Sequence, residues 1–190
     1  MPRIILASAS PRRKELMSKI TGDFERIPVN SREWEYDGLT PAQKAVRRAR
    51  DKANAAMTKL KLGWDNVVIT SDTVVDVDGQ DLGKPKDEYD VYRMIKLLSD
   101  RWHMVHTAVC VCYQGFMYSL CEDTRVEIGY VDDRDIIEYA KTEEPYDKAG
   151  GYAIQGYIGH FLKGMKGDYD NVMGFPTSRV RKLLKYLGVI

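Results

Sequence analysis

Apolar positions in this chain fall into two alternating kinds of spacing. Residues 4–7 are a short apolar run that reads as a strand, and Leu16, Met17 and Ile20 then follow at helical spacing, so residues 11–20 read as a helix. Ser10 supplies its N-cap and Pro11 its first helical position. "FERIPV" (24–29) reads as a second strand. Thr40 and Pro41 repeat the cap-plus-proline start and open a helix to about residue 60. Its stripe is Ala42, Ala45, Val46, Ala49, Ala53, Ala56, Met57 and Leu60, with Lys52 at the stripe's edge, where a lysine can cover apolar surface and aim its amine into a cleft. "NVVIT" and "TVVDV" read as two strands meeting near Asp72, followed by an Asp78-Gly79 turn. Residues 87–98 read as a helix burying Val91, Met94, Ile95 and Leu98, and strands are expected at 104–112, 116–120 and 124–130. Asp132 opens another helix, and a last one carries Val180, Leu183, Leu184 and Leu187, stopped by Gly188. The glycine-rich, aromatic connection 142–158 reads as a functional loop.

This strand–helix alternation, with no internal repeat and no proline-rich linker, predicts one α/β domain over residues 1–190. A net charge of +1 means that any anion site must come from local clustering, which argues against a dedicated nucleic-acid binder. Three cysteines are too few for a disulfide framework; Cys110 and Cys112 share one strand face and read as small apolar residues. No segment has the length of a membrane span, and the apolar run at the start is too short for a signal peptide, so a cytoplasmic protein is expected.

The first predicted helix poses an electrostatic question. Arg12, Arg13 and Lys14 crowd its N-terminus, where the helix dipole disfavours each cation by about 0.3–1 kcal/mol. One answer is an anion: free backbone N–H groups, the Ser8 and Ser10 hydroxyls and two guanidiniums together form a phosphate cradle. The other is a solvated basic turn. Asp72 raises a second question, because an unpaired carboxylate between apolar strand segments is costly. It calls for a cation, a metal ion or hydrogen bonds, and Lys84 in "LGKP" is close enough in sequence to supply charge; a structural Asp at a strand turn is the alternative. The glycine spacing around Lys84 is too short for a Walker loop. In "EEPYDKAGGYAIQG", Gly150 and Gly151 allow close backbone approach, and Gln155 offers both a donor and an acceptor for a nucleobase edge; the same residues also suit a simple turn. His103 and His106 suggest a metal pair, but they lie three apart in a strand, on opposite faces, which argues against a shared zinc. Glu33 is a candidate ligand for a hard metal ion.

Taken in order, these segments resemble the Maf family of nucleoside triphosphate pyrophosphatases. "ASASPRRKEL" is similar to the family's opening signature, "ARDKA" to its lysine-bearing helix, and "SDTVV" with "LGKP" to its catalytic segment. "HMVHTAV" resembles its central strand, "KAGGYAIQG" its recognition loop and "NVMGFP" its closing turn. Carried over by position, the resemblance makes Asp72 the proton acceptor and associates Arg12, Thr73 and Gln155 with substrate choice. Arg13, Lys52 and Lys84 match basic residues around the phosphates, and Glu33 matches a glutamate near the metal, with Asp72 as a second ligand. Arg32 stands where the family usually carries an acidic residue, and Phe175 where it carries an aliphatic one.

The resemblance implies an elongated, twisted mixed sheet flanked by helices, with a cleft between two lobes. It implies hydrolysis of dTTP, UTP and related pyrimidine nucleotides to the monophosphate and pyrophosphate, with Mg²⁺ or Mn²⁺ as the cofactor. A nucleotide-binding regulator of cell division and a purine-directed pyrophosphatase of the inosine triphosphatase type are the alternatives. The expected partner is a small-molecule nucleotide, not nucleic acid or membrane; a homodimer is left open.

Overall fold

In the computed structural model, which describes residues 2–30 and 36–190, the middle of one long inner strand is paired along only one edge. The elements, in chain order, are β1 (Ile4–Leu6), α1 (Pro11–Ser18), β2 (Glu25–Arg26), α2 (Pro41–Leu60), β3 (Val67–Val77), β4 (Gln80–Leu82), α3 (Glu88–Leu98), β5 (Arg101–Tyr113), β6 (Phe116–Ile128), α4 (Asp133–Ala140), β7 (Leu162–Lys166), α5 (Tyr169–Val172) and α6 (Thr177–Tyr186). They build a mixed sheet in the order β2-β1-β3-β5-β6-β7, with β4 also paired to β3. Strand β1 runs parallel to β3 along Val67–Ile69, whereas β4 runs antiparallel along Val75–Val77. Both lie on the edge of β3 away from β5, which pairs with β3 from Val68 to Asp76. The sheet therefore forks, and residues 70–74 floor the gap.

Alternation along β3 sorts the packing. Val67 and Ile69 join Leu16 and Met17 of α1 and Val180 and Leu184 of α6 in one core. Val75 and Val77, on the same face, join Val91, Ile95 and Leu98 of α3 and Ile136 of α4 in a second core. These are the two lobes. On the opposite face, Ala45, Ala49, Ala53 and Ala56 of α2 lie against Val68, Val74, Ala108, Cys110 and Cys112. The alanines let the helix approach closely, and a capping box between Thr40 and Gln43 satisfies its first turn. Burial of both thiols agrees with their reading as small apolar residues.

Several expected boundaries shift. The two strands expected to meet near Asp72 are one strand, and those expected at 116–120 and 124–130 are the single β6. Polar residues such as Glu122 and Asp123 interrupt the apolar pattern without interrupting backbone pairing with β5. The turn joining β5 to β6 is Gln114-Gly115, both at positive φ like Asp78-Gly79, a geometry that matches strand twist. The second strand shrinks from 24–29 to two residues. The loop 142–158 contains 3-10 turns and is pinned by its glycines: Gly150 donates to the Gly83 carbonyl at 3.0 Å. A Cβ on Gly150 would come within 3.0 Å of Val75, so its close approach is to the core. No helix among the described residues is long and apolar enough to cross a membrane.

Candidate active site

The gap in the sheet opens into a cleft of about 750 Å³. Ser8, Ser10, Arg12, Arg13, Lys52, Asp72, Thr73 and Lys84 all line it, drawn from the β1–α1 corner, α2, β3 and the segment after β4. Gln155 does not: it is exposed, whereas its neighbours Ala153 and Ile154 reach the cleft wall. Glu33 and Arg32 lie outside the described residues.

The β1–α1 corner takes the expected form. The Ser10 side chain caps α1 by accepting from the Arg13 N–H at 3.4 Å, and the Ser10 N–H donates to Ser8 Oγ at 3.2 Å. From β2, Arg26 donates to the carbonyls of Ser8 and Ala9, holding the corner from behind. Arg12 lies at the cleft, but Arg13 is turned inward. Its guanidinium donates to the Ser71 carbonyl (2.8 Å), the Gly174 carbonyl (3.0 Å) and Thr73 Oγ1 (3.1 Å). Arg13 thus ties α1 to the open edge of β3 and to the closing turn after α5. Its cation faces the cleft while its donors hold the walls together.

Odd and even residues of β3 have different partners. Ser71 donates to the Gly174 carbonyl at 3.0 Å, and Thr73 shares a hydrogen bond with Thr107 at 3.0 Å. Thr107 belongs to a buried polar cluster with Asn171, whose Nδ2 donates to Thr124 Oγ1. Asp72 points to the other face, where the Lys52 ammonium lies 2.5 Å from its Oδ1. One cation on this buried carboxylate comes from α2, and Lys84, the cation nearest Asp72 along the chain, lines the same cleft. A register argument places Lys52 on the helix edge but says nothing about which strand residue it meets.

Sequence reasoning missed a second pair. Arg48, one helical turn before Lys52, meets Asp81 of β4 at 2.9 Å, and both line the cleft. Burial pushes the Asp81 carboxyl above its ordinary value while Arg48 opposes the rise, and the negative charge of Asp72 adds to it. Asp81 Oδ1 is buried with no hydrogen-bond partner among the described residues. The i, i+4 spacing of Arg48 and Lys52 was the available signal. Lys148, which donates to the Glu144 carbonyl and to Asp147 Oδ1 at 2.5 Å each, closes the far wall.

A mixed sheet forked around a cleft that carries cations and carboxylates together sets the class, an α/β protein whose polar site lies where the strand order diverges. The chain belongs to the Maf family, whose model, described as Maf-like protein, matches residues 3–187. It is 44% identical over 180 residues to the dTTP/UTP pyrophosphatase of Thermococcus gammatolerans, covering 95% of this chain and 94% of that one. Against the dTTP/UTP pyrophosphatase of Koribacter versatilis it is 43% identical over 187 residues, covering 98% and 95%. The fold is similar to that of the Staphylococcus aureus Ham1 protein, with a TM-score of 0.54 at 16% identity over 98% of both chains.

Proposed function

We infer that this protein hydrolyses nucleoside triphosphates, dTTP and UTP foremost, between the α- and β-phosphates to give the monophosphate and pyrophosphate. The observation that carries this reading is the Asp72–Lys52 pair on the floor of a cation-lined cleft, in a chain so close to enzymes named dTTP/UTP pyrophosphatase. Phosphoryl chemistry asks mainly for charge neutralisation, alignment and a directed water. Arg12, Lys84 and the α1 N-terminus supply positive potential for the phosphate chain, with Arg13 fixing the walls between which it lies. Lys52 holds one oxygen of Asp72, so the carboxylate is fixed in orientation while its other oxygen positions the attacking water and takes its proton. A carboxylate oriented by a cation also gives the cleft a group that can take a proton, which binding alone does not require.

The donor set fits a hard divalent cation, Mg²⁺ or Mn²⁺. Asp72 and Asp81 bring carboxylates to one cleft, and Asp81 Oδ1, with no hydrogen-bond partner among the described residues, is an oxygen that such an ion would satisfy. Asp72, Asp81 and Glu33 are the residues that would hold it, and the ion would neutralise charge on the phosphate oxygens. Incubating the purified chain with single triphosphates and measuring pyrophosphate against orthophosphate tests the reading. Release of pyrophosphate with the monophosphate supports it, and binding without turnover overturns it.

A further inference from the structure

We propose that His106, Cys121 and Asp123 form a binding site for a thiophilic divalent transition-metal ion such as Zn²⁺, separate from the nucleotide cleft. In the β5–β6 ladder His106 stands directly opposite Asp123, and Cys121 stands opposite Ala108, one rung along on the same face. The donor atoms of the three residues all lie within 4.8 Å of one another. His106 Nδ1 is 2.7 Å from Asp123 Oδ1, and Cys121 Sγ is 3.8 Å from that same oxygen. None of the three lines the cleft.

A fourth residue makes this more than a coincidence of donors. Asp76, on β3, lies 3.1 Å from His106 Nε2, on the far side of the ring from Cys121 and Asp123. A carboxylate accepting from one ring nitrogen fixes the tautomer and turns the other nitrogen's lone pair towards a ligand, an arrangement that recurs behind metal-bound histidines. The imidazole is thus buried and aimed, while exposed Asp123 and half-buried Cys121 leave a path from solvent. One nitrogen, one sulfur and one oxygen donor suit Zn²⁺ or Co²⁺ and disfavour Mg²⁺, and three protein ligands leave a position open for water. Metal binding releases the Cys121 thiol proton and any proton on His106 Nδ1 to solvent. The rival arrangement is a metal-free His106 ring hydrogen-bonded between Asp76 and Asp123.

Titrating the metal-free full chain with Co²⁺ separates the two. The site gives a near-ultraviolet thiolate-to-cobalt charge-transfer band that saturates at one equivalent, is displaced by Zn²⁺ and survives excess Mg²⁺. Cys121→Ser, checked for folding by thermal unfolding, abolishes the band. Asp76→Asn leaves the ligands in place and weakens binding by about 10–100-fold. A chain without the band has only the hydrogen bonds of His106 to Asp76 and Asp123, and a band that persists in Cys121→Ser belongs to other thiols; either result overturns the proposal.

Discussion

Lys52 Nζ and Asp72 Oδ1 lie 2.5 Å apart, joining α2 to the stretch of β3 that has no strand along its outer edge. Both side chains are mostly withdrawn from water, so the pair acts in a medium where a charge contact is stronger than at the surface. Asp72→Asn keeps the shape of the carboxylate but cannot take a proton. The variant is expected to fold and bind nucleotide while kcat falls by roughly 10²–10⁴-fold, the usual contribution of one general base. Steady-state kinetics alongside nucleotide titration check this; a near-normal kcat removes Asp72 from that role.

Gly174 is a structural requirement of the same site. Its φ is +100°, and a Cβ there would sit 3.2 Å from Thr73 Oγ1 and 3.5 Å from Arg13 Nε. Gly174→Ala is expected to cost about 1–3 kcal/mol in urea unfolding, from backbone strain. It should also lower kcat/KM, because Arg13 and Thr73 must give way. An unchanged unfolding midpoint would show that the turn relaxes freely.

Turnover is expected to depend on a divalent cation, given carboxylates converging in the cleft without a histidine or cysteine among its lining residues. Exhaustive chelation should abolish activity, and Mg²⁺ or Mn²⁺ should restore it. Full activity in the chelated protein contradicts the metal requirement.

Base preference can be read from kcat/KM for dTTP, UTP, CTP, GTP and 7-methyl-GTP under one metal condition. dTTP and UTP are expected at the top, and a purine at the top overturns the assignment. Gln155 can donate to a pyrimidine carbonyl and accept from N3–H. Because Gln155 is exposed and away from the cleft wall, each such bond carries only the ordinary net value of about 0.5–1.5 kcal/mol. Gln155→Ala is therefore expected to lower kcat/KM for UTP by roughly tenfold, the equivalent of about 1.4 kcal/mol. A far larger loss would mean that Gln155 is enclosed when nucleotide binds.

His103 sets a pH dependence of stability. Burial, with a smaller contribution from the Arg101 charge, brings its pKa down to about 4, and its Nε2 meets the Tyr152 hydroxyl at 2.6 Å. The unfolded chain therefore binds this proton between about pH 6.5 and pH 4 while the folded chain does not. Stability from this group is complete above that window and declines as pH falls through it, by roughly 3 kcal/mol in all. Urea unfolding across the window should show the decline, and His103→Gln should reduce its slope by about one proton. An identical slope in the variant rules His103 out as the source.

Much of this molecule was legible along the chain. Thr40-Pro41 and the alanine stripe marked α2 because capping and helical periodicity are local properties. Ser10 and Pro11 marked α1, and Asp78-Gly79 marked its hairpin, for the same reason. The opposite faces of His103 and His106 followed from strand alternation: one meets Tyr152 and the other Asp76 and Asp123. The order of basic residues, Asp72 and the glycine loop pointed to the family and its chemistry before any contact was known.

What tertiary structure decided is which edges pair and which distant side chains meet. Alternation along β3 assigns Asp72 to a face, but only the parallel arrival of β1 and the antiparallel return of β4 leave the outer edge of the strand's middle unpaired. Along the chain Arg13 reads as part of a phosphate cradle or of a solvated basic turn, and its three acceptors come from Ser71, Thr73 and Gly174, all remote in sequence. Arg48 and Asp81 become a site pair only when α2 packs against β3, to which β4 is paired, and Gln155 leaves the cleft wall only once Ala153 and Ile154 turn towards it. Periodicity is a property of neighbours along the chain, so it specifies elements and their faces. Pairing across a gap of tens of residues depends on how those faces pack together, and that information is absent from any single stretch of sequence.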